Sequence, residues 1–124
     1  MFRRDFPPFE RKFKEISKKH PSLSEDLDYL CRIIATWIKD GIQIANWPNT
    51  KTSSGGGKRC HYLTTRLKVT GLRKSSFRIF YAYYPQDPIR IVFIQIYPRG
   101  NQNSHFLSRH VEEEYEEFAR SQKF

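Results

Sequence analysis

The sequence predicts an α+β fold: an N-terminal helical hairpin packed on a small antiparallel sheet of three to four strands, with a C-terminal helix. Three observations point there. Two stretches near the start carry apolar residues at helical spacing, two runs in the middle are apolar at nearly every position, and the tail sets a narrow apolar stripe against five glutamates. At 124 residues the chain reads as a single domain, 1–124, long enough to bury a core. Only 38% of it is hydrophobic, but ten Phe, seven Tyr and two Trp let large rings fill that core from few positions.

In the first helix Phe9, Phe13 and Ile16 recur at i, i+4 and i+7 with charges between them, and His20-Pro21 ends it. A short strand can precede it within Met1 to Phe6. The second helix lies in "SLSEDLDYLCRIIATWIKDG", where Ser22 or Ser24 can cap, Glu25 and Asp26 complement the first turn and Gly41 stops it. Leu27, Leu30, Cys31, Ile34 and Ile38 fall on one stripe, which packs it back on the first helix. "NWPNTKTSSGGGK" is turn and loop material. Gly55 to Lys58 imitates a phosphate loop, but Thr52 and Arg59 stand where that motif needs Gly and Ser/Thr, so a loop is expected. In "CHYLTTRLKV", Leu63, Thr65, Leu67 and Val69 face one way and Tyr62, Thr64, Arg66 and Lys68 the other. "SFRIFYAYY" and "IRIVFIQIY" are apolar on both faces, as central strands are, and "YPQDP" joins them tightly. The final helix carries Val111, Tyr115 and Phe118 as its stripe, with Ser108 as cap.

The formal net charge of +9 points to an anionic partner. Ten basic residues lie between Lys58 and Arg109, against one acid, Asp87. The glutamates of the tail can supply partners by folding over the sheet; the competing reading is a phosphate-binding face. Single-stranded RNA suits a basic sheet with aromatics nearby better than duplex DNA, for which no basic recognition helix is present. A membrane partner is not expected, since the basic residues lie on strands and the longest apolar run, Ile91 to Ile96, is too short to span a bilayer. Cys31 and Cys60 lack ligand or CxxC spacing, and the charged N-terminus lacks an apolar signal core. Both features suit a cytoplasmic protein with no cofactor and no metal site.

A charged first helix, a second helix, "TRLKV", "FRIFYAYY", a turn and "IRIVFIQIYPRG" together resemble the RelE/ParE superfamily of type II toxins, and the RelE-type ribosome-dependent branch more than the ParE branch. The resemblance implies a metal-independent endoribonuclease that cleaves mRNA at the ribosomal A site by 2′-hydroxyl attack, leaving a 2′,3′-cyclic phosphate. It also implies two partners: mRNA on the ribosome and a small acidic antitoxin. The alternatives are a ParE-like gyrase-binding toxin without nuclease activity and a non-catalytic RNA-binding member of the fold. By the same resemblance Arg66 and Lys68 match basic residues around the substrate phosphate, and Arg78 matches the arginine that holds the scissile phosphate. Arg99 matches the arginine just past the last strand, and His105 falls where relatives place a catalytic tyrosine or histidine. Arg73 and Lys74, on the connection between strands, join Arg66 and Lys68 as substrate-binding candidates. The chemistry is compatible: arginines stay protonated and can clamp charge, whereas a histidine can move a proton at neutral pH. For His105 spacing alone equally allows an ordinary loop histidine, and the strands offer no carboxylate as a general base.

Overall fold

The computed structural model describes residues 1–53, 59–72, 77–98 and 109–124. The elements run β1 (Phe2–Arg3), α1 (Pro7–Lys19), α2 (Leu23–Lys39), β2 (Thr50–Thr52), β3 (His61–Leu67), β4 (Phe77–Tyr84), β5 (Arg90–Pro98) and α3 (Arg109–Ser121), with a 3-10 turn at Ile44–Asn46. The five strands form one sheet in the order β1-β5-β4-β3-β2. The α+β class and the two N-terminal helices are as the sequence predicts. The sheet is larger, and it is mixed rather than antiparallel, because β1 pairs parallel to β5. The added strand β2 is three polar residues, "TKT", with no alternating apolar pattern to announce it. It is held by its ladder to β3 and by the Thr50 hydroxyl, 2.9 Å from that of Thr65.

Local chemistry accounts for the helices. α1 opens on Pro7 and Pro8, at positions whose amides would have no helical partner anyway. α2 ends before Gly41, whose φ of +69° is a left-handed conformation that glycine adopts without strain. Ser22 stands at its start but makes no capping bond; its hydroxyl donates to Asp26 instead.

The helices sit on both sides of the sheet. Phe9 of α1 stacks on Phe93 and Trp47 packs on Tyr83, with Trp37 of α2 behind it. On the opposite face, Tyr115 of α3 bonds to Tyr84 through the two hydroxyls at 2.7 Å and packs edge-on to Tyr62. All eight residues of β4 are buried, which is why its sequence shows no alternation.

One irregularity sets the geometry of that second face. β5 carries a bulge: Phe80 pairs with Gln95 and Tyr81 with Phe93, so Ile94 is an extra residue. Phe93, just before the bulge, faces α1, where it stacks on Phe9. Beyond the bulge, Gln95 and Tyr97 share the face of Phe80 and Arg78.

Candidate phosphate-binding site

Directly paired residues in antiparallel strands point to the same side of the sheet, with Cβ atoms about 5 Å apart. Arg66 of β3 is paired with Arg78 of β4, and Arg78 with Tyr97 of β5. Three strands therefore place two guanidinium groups and a phenol in one row, on the face that α3 covers farther along.

The environment of that row is unusual for two cations. Arg78 is only 4% exposed. Its Nη1 donates to the buried Thr64 hydroxyl at 3.4 Å. Burial pushes the Tyr97 phenol up to about 12, with the positive charge of Arg78 pulling the other way. Arg66 is half-buried; its Nε is fully covered and donates to no partner among the described residues. Like charges directly opposite each other destabilise a sheet, and a buried guanidinium must be compensated by its surroundings. The row thus sets two like charges opposite each other in the sheet, an arrangement that an anion can bridge.

Among the described residues, α3 makes one ion pair, Arg109 with Glu113 at 3.0 Å inside the helix, and no salt bridge joins an α3 glutamate to Arg66, Lys68 or Arg90. Arg90 instead lies over the rings of Phe124 and Tyr84, at 4.7 and 5.6 Å. Crowding among the acids appears in Glu112, whose carboxyl is raised first by burial and then by Glu116 and Glu113.

Of the residues expected to act on substrate, the fold brings Arg66 and Arg78 together. Lys68 lies just past the end of β3 and is exposed. Arg73, Lys74, Arg99 and His105 lie outside the described residues, as do Ser108 and the segment Gly55 to Lys58. Tyr97 and Thr64 were not expected in the site. Continuing the register set by Tyr84 opposite Arg90 would put Ile96 beside Arg78; the bulge puts Tyr97 there. No family model, curated protein or solved structure matches this chain. Among the described residues no helix is long and apolar enough to cross a membrane.

Proposed function

We propose that the protein is the toxin of a type II toxin–antitoxin pair, a RelE-type endoribonuclease that cuts mRNA in the ribosomal A site. The observation that carries this reading is the Arg66–Arg78 pair, two guanidinium groups opposed on one sheet face. A phosphate bridging them meets both guanidinium groups at once, and the charge gained by a phosphorane in the transition state strengthens the same contacts. Arg78 is the buried half of the clamp, fixed by Thr64; Arg66 is its more accessible half. Attack by the 2′-hydroxyl forms the bond to phosphorus as the 5′-oxygen leaves, giving a 2′,3′-cyclic phosphate and a 5′-hydroxyl. The proton from the 2′-hydroxyl and the proton delivered to the 5′-oxygen require a group that titrates near neutrality, the role the resemblance gives to His105. An acidic antitoxin fits the net charge of +9.

The test is cleavage of mRNA on programmed ribosomes by the purified protein. Arg78→Ala and Arg66→Ala each lower the rate, by about 100- to 1000-fold for loss of one transition-state contact. Arg78→Lys also fails, because a point charge does not replace a bidentate fork. Circular dichroism separates that outcome from misfolding, and the half-buried Arg66 supplies the variant less prone to it. A single 2′-deoxy sugar at the cut site abolishes cleavage. Intact mRNA alongside DNA breaks in expressing cells would instead favour the gyrase-directed alternative.

A further inference from the structure

Between the start of β3 and the last turns of α3 lies a cavity of about 450 Å³ that the nuclease chemistry does not use. One thiol opens on it. Continuing the β3–β4 register one residue beyond His61 opposite Tyr83 sets Cys60 opposite Tyr84, on the face that α3 covers. The Tyr84 hydroxyl is bonded both to that thiol and to the Tyr115 hydroxyl, the latter at 2.7 Å. Cys60 is half-buried and lines the cavity. The second cysteine differs: Cys31 is buried in α2, and burial pushes its thiol up to about 11. Against the ordinary 9.0, that leaves about 100-fold less of the nucleophilic thiolate at neutral pH.

A second observation, independent of the thiol, points into the same space. Tyr62 is 4% exposed and also lines the cavity, yet its hydroxyl has no hydrogen-bond partner among the described residues. Nor is that hydroxyl sealed in protein: among the described side chains, the fully covered polar atom that lacks a partner is Arg66 Nε. A buried phenol whose hydroxyl stays free and open to a cavity is placed to meet a ligand. The charged residues of the lining are Arg59, Arg120 and Glu116, and none of them forms an ion pair among the described residues. Arg59 is anchored there. Its Nη1 donates to the Phe124 carbonyl at 3.1 Å, and Phe124 lines the cavity as well.

We propose that Cys60 is a site of reversible mixed-disulfide formation with a small anionic peptide disulfide, whose thiol half carries two carboxylates and one ammonium and comes to rest in this cavity. The lining matches that charge set, with two guanidinium groups for the carboxylates and one carboxylate for the ammonium. The Tyr62 hydroxyl is left to hydrogen-bond a peptide group. In the reaction the Cys60 thiol gives its proton to solvent, and the thiolate attacks one sulfur of the small disulfide. A new S–S bond forms at Cys60 as the old one breaks, and the other half leaves as a thiolate that takes up a proton. The protein thiol is oxidised and the departing half reduced; a free small thiol reverses the exchange. The adduct also removes the thiol to which Tyr84 is bonded, so it reaches the Tyr84–Tyr115 contact between α3 and the sheet. Neither Arg66 nor Arg78 takes part.

The experiment follows adduct formation on the folded protein at neutral pH by mass spectrometry with peptide mapping. Three disulfides are compared: anionic glutathione disulfide, neutral hydroxyethyl disulfide and dicationic cystamine, each rate divided by that of the same disulfide with free cysteine. The expected adduct forms on Cys60 and not on Cys31, and reduced glutathione reverses it. Glutathione disulfide should react faster than hydroxyethyl disulfide by about 10-fold or more, the gain when cations at a cleft draw in an anion, and cystamine should be slowest. Arg59→Ala should remove most of that preference. Lys18→Ala, which takes the same charge from an exposed position on α1, should leave it unchanged. Tyr62→Phe keeps the ring and should slow glutathione disulfide more than hydroxyethyl disulfide; circular dichroism checks that each variant is folded. No adduct on Cys60, or one formed on Cys31 at the same rate, overturns the proposal. Equal reactivity towards the three disulfides also overturns it, marking Cys60 as an ordinary accessible thiol. A preference lost equally in Arg59→Ala and Lys18→Ala would trace it to the net charge of +9 and discard the site.

Discussion

Asp26 performs a different task from the one its position in the first turn of α2 suggests. Its carboxylate reaches across to the end of β3 and holds Thr70 by both the amide and the hydroxyl, at 3.0 and 2.6 Å. Burial acts to raise its pKa, but the bonds from Thr70 and Ser22 together outweigh it, and the folded value lies below the ordinary 3.8. A depressed folded value means that the charged carboxylate favours the folded state. That contribution is fully present above the unfolded pKa and is lost as pH falls through the folded one. Asp26→Asn should therefore destabilise the protein by about 1 kcal/mol at neutral pH, on the scale of a hydrogen bond to a charged acceptor in a half-exposed site. The gap between variant and wild type should close below pH ~4. Urea midpoints measured from neutral pH into the acid range would check this. A gap that persists unchanged in acid would mean that the charge of Asp26 is not its cause.

At the scale of elements, the Tyr84–Tyr115 hydroxyl pair ties α3 to the sheet. Burial moves the Tyr84 phenol up to about 12 and the Tyr115 phenol higher still, so both remain neutral in any ordinary buffer. Tyr115→Phe removes one partner and leaves the buried Tyr84 hydroxyl less satisfied, a cost of about 1–2 kcal/mol. Tyr84→Phe combined with Tyr115→Phe should recover part of that loss, because no orphaned hydroxyl remains; a double-mutant cycle in chemical denaturation reads the coupling. The contact also shows where the sequence is informative. Val111, Tyr115 and Phe118 read directly as a stripe, and α1, α2, β4 and β5 follow from spacing and apolar runs, because burial itself dictates those patterns. β2 was not legible, since its stability comes from pairing and from hydroxyl contacts to β3 rather than from apolar side chains. The Arg66–Arg78 opposition could be anticipated only by fixing the β3–β4 register across the Thr70–Ser76 connection. Tyr97 could not, because an inserted Ile94 leaves the composition of the strand unchanged while turning everything beyond it by one position.

Across the whole molecule, α1 and α2 close one face of the sheet, and α3 takes the end of the other marked by Tyr62 and Tyr84. The Arg66–Arg78–Tyr97 row lies on that second face, away from the Tyr84–Tyr115 contact, and the basic residues between Lys58 and Arg109 belong largely to the strands and their connections. If this charge serves one bound strand, the salt dependence of RNA binding should come from a few particular residues and not from the net charge of +9 as a whole. Each phosphate neutralised on a single strand contributes roughly 0.7 to the slope of log affinity against log salt. Lys68 is exposed at the exit of β3, so Lys68→Ala should leave stability unchanged, weaken binding evenly across sequences and flatten the slope by about 0.7. Lys18 provides the control: it is equally exposed but lies on α1, which packs on the opposite face of the sheet. Lys18→Ala should leave the slope where it was, because at physiological salt charges beyond about 8 Å are largely screened. Equal flattening by both substitutions would show that RNA is held by diffuse attraction to a cationic body, and the arginine row would lose its claim to the phosphate.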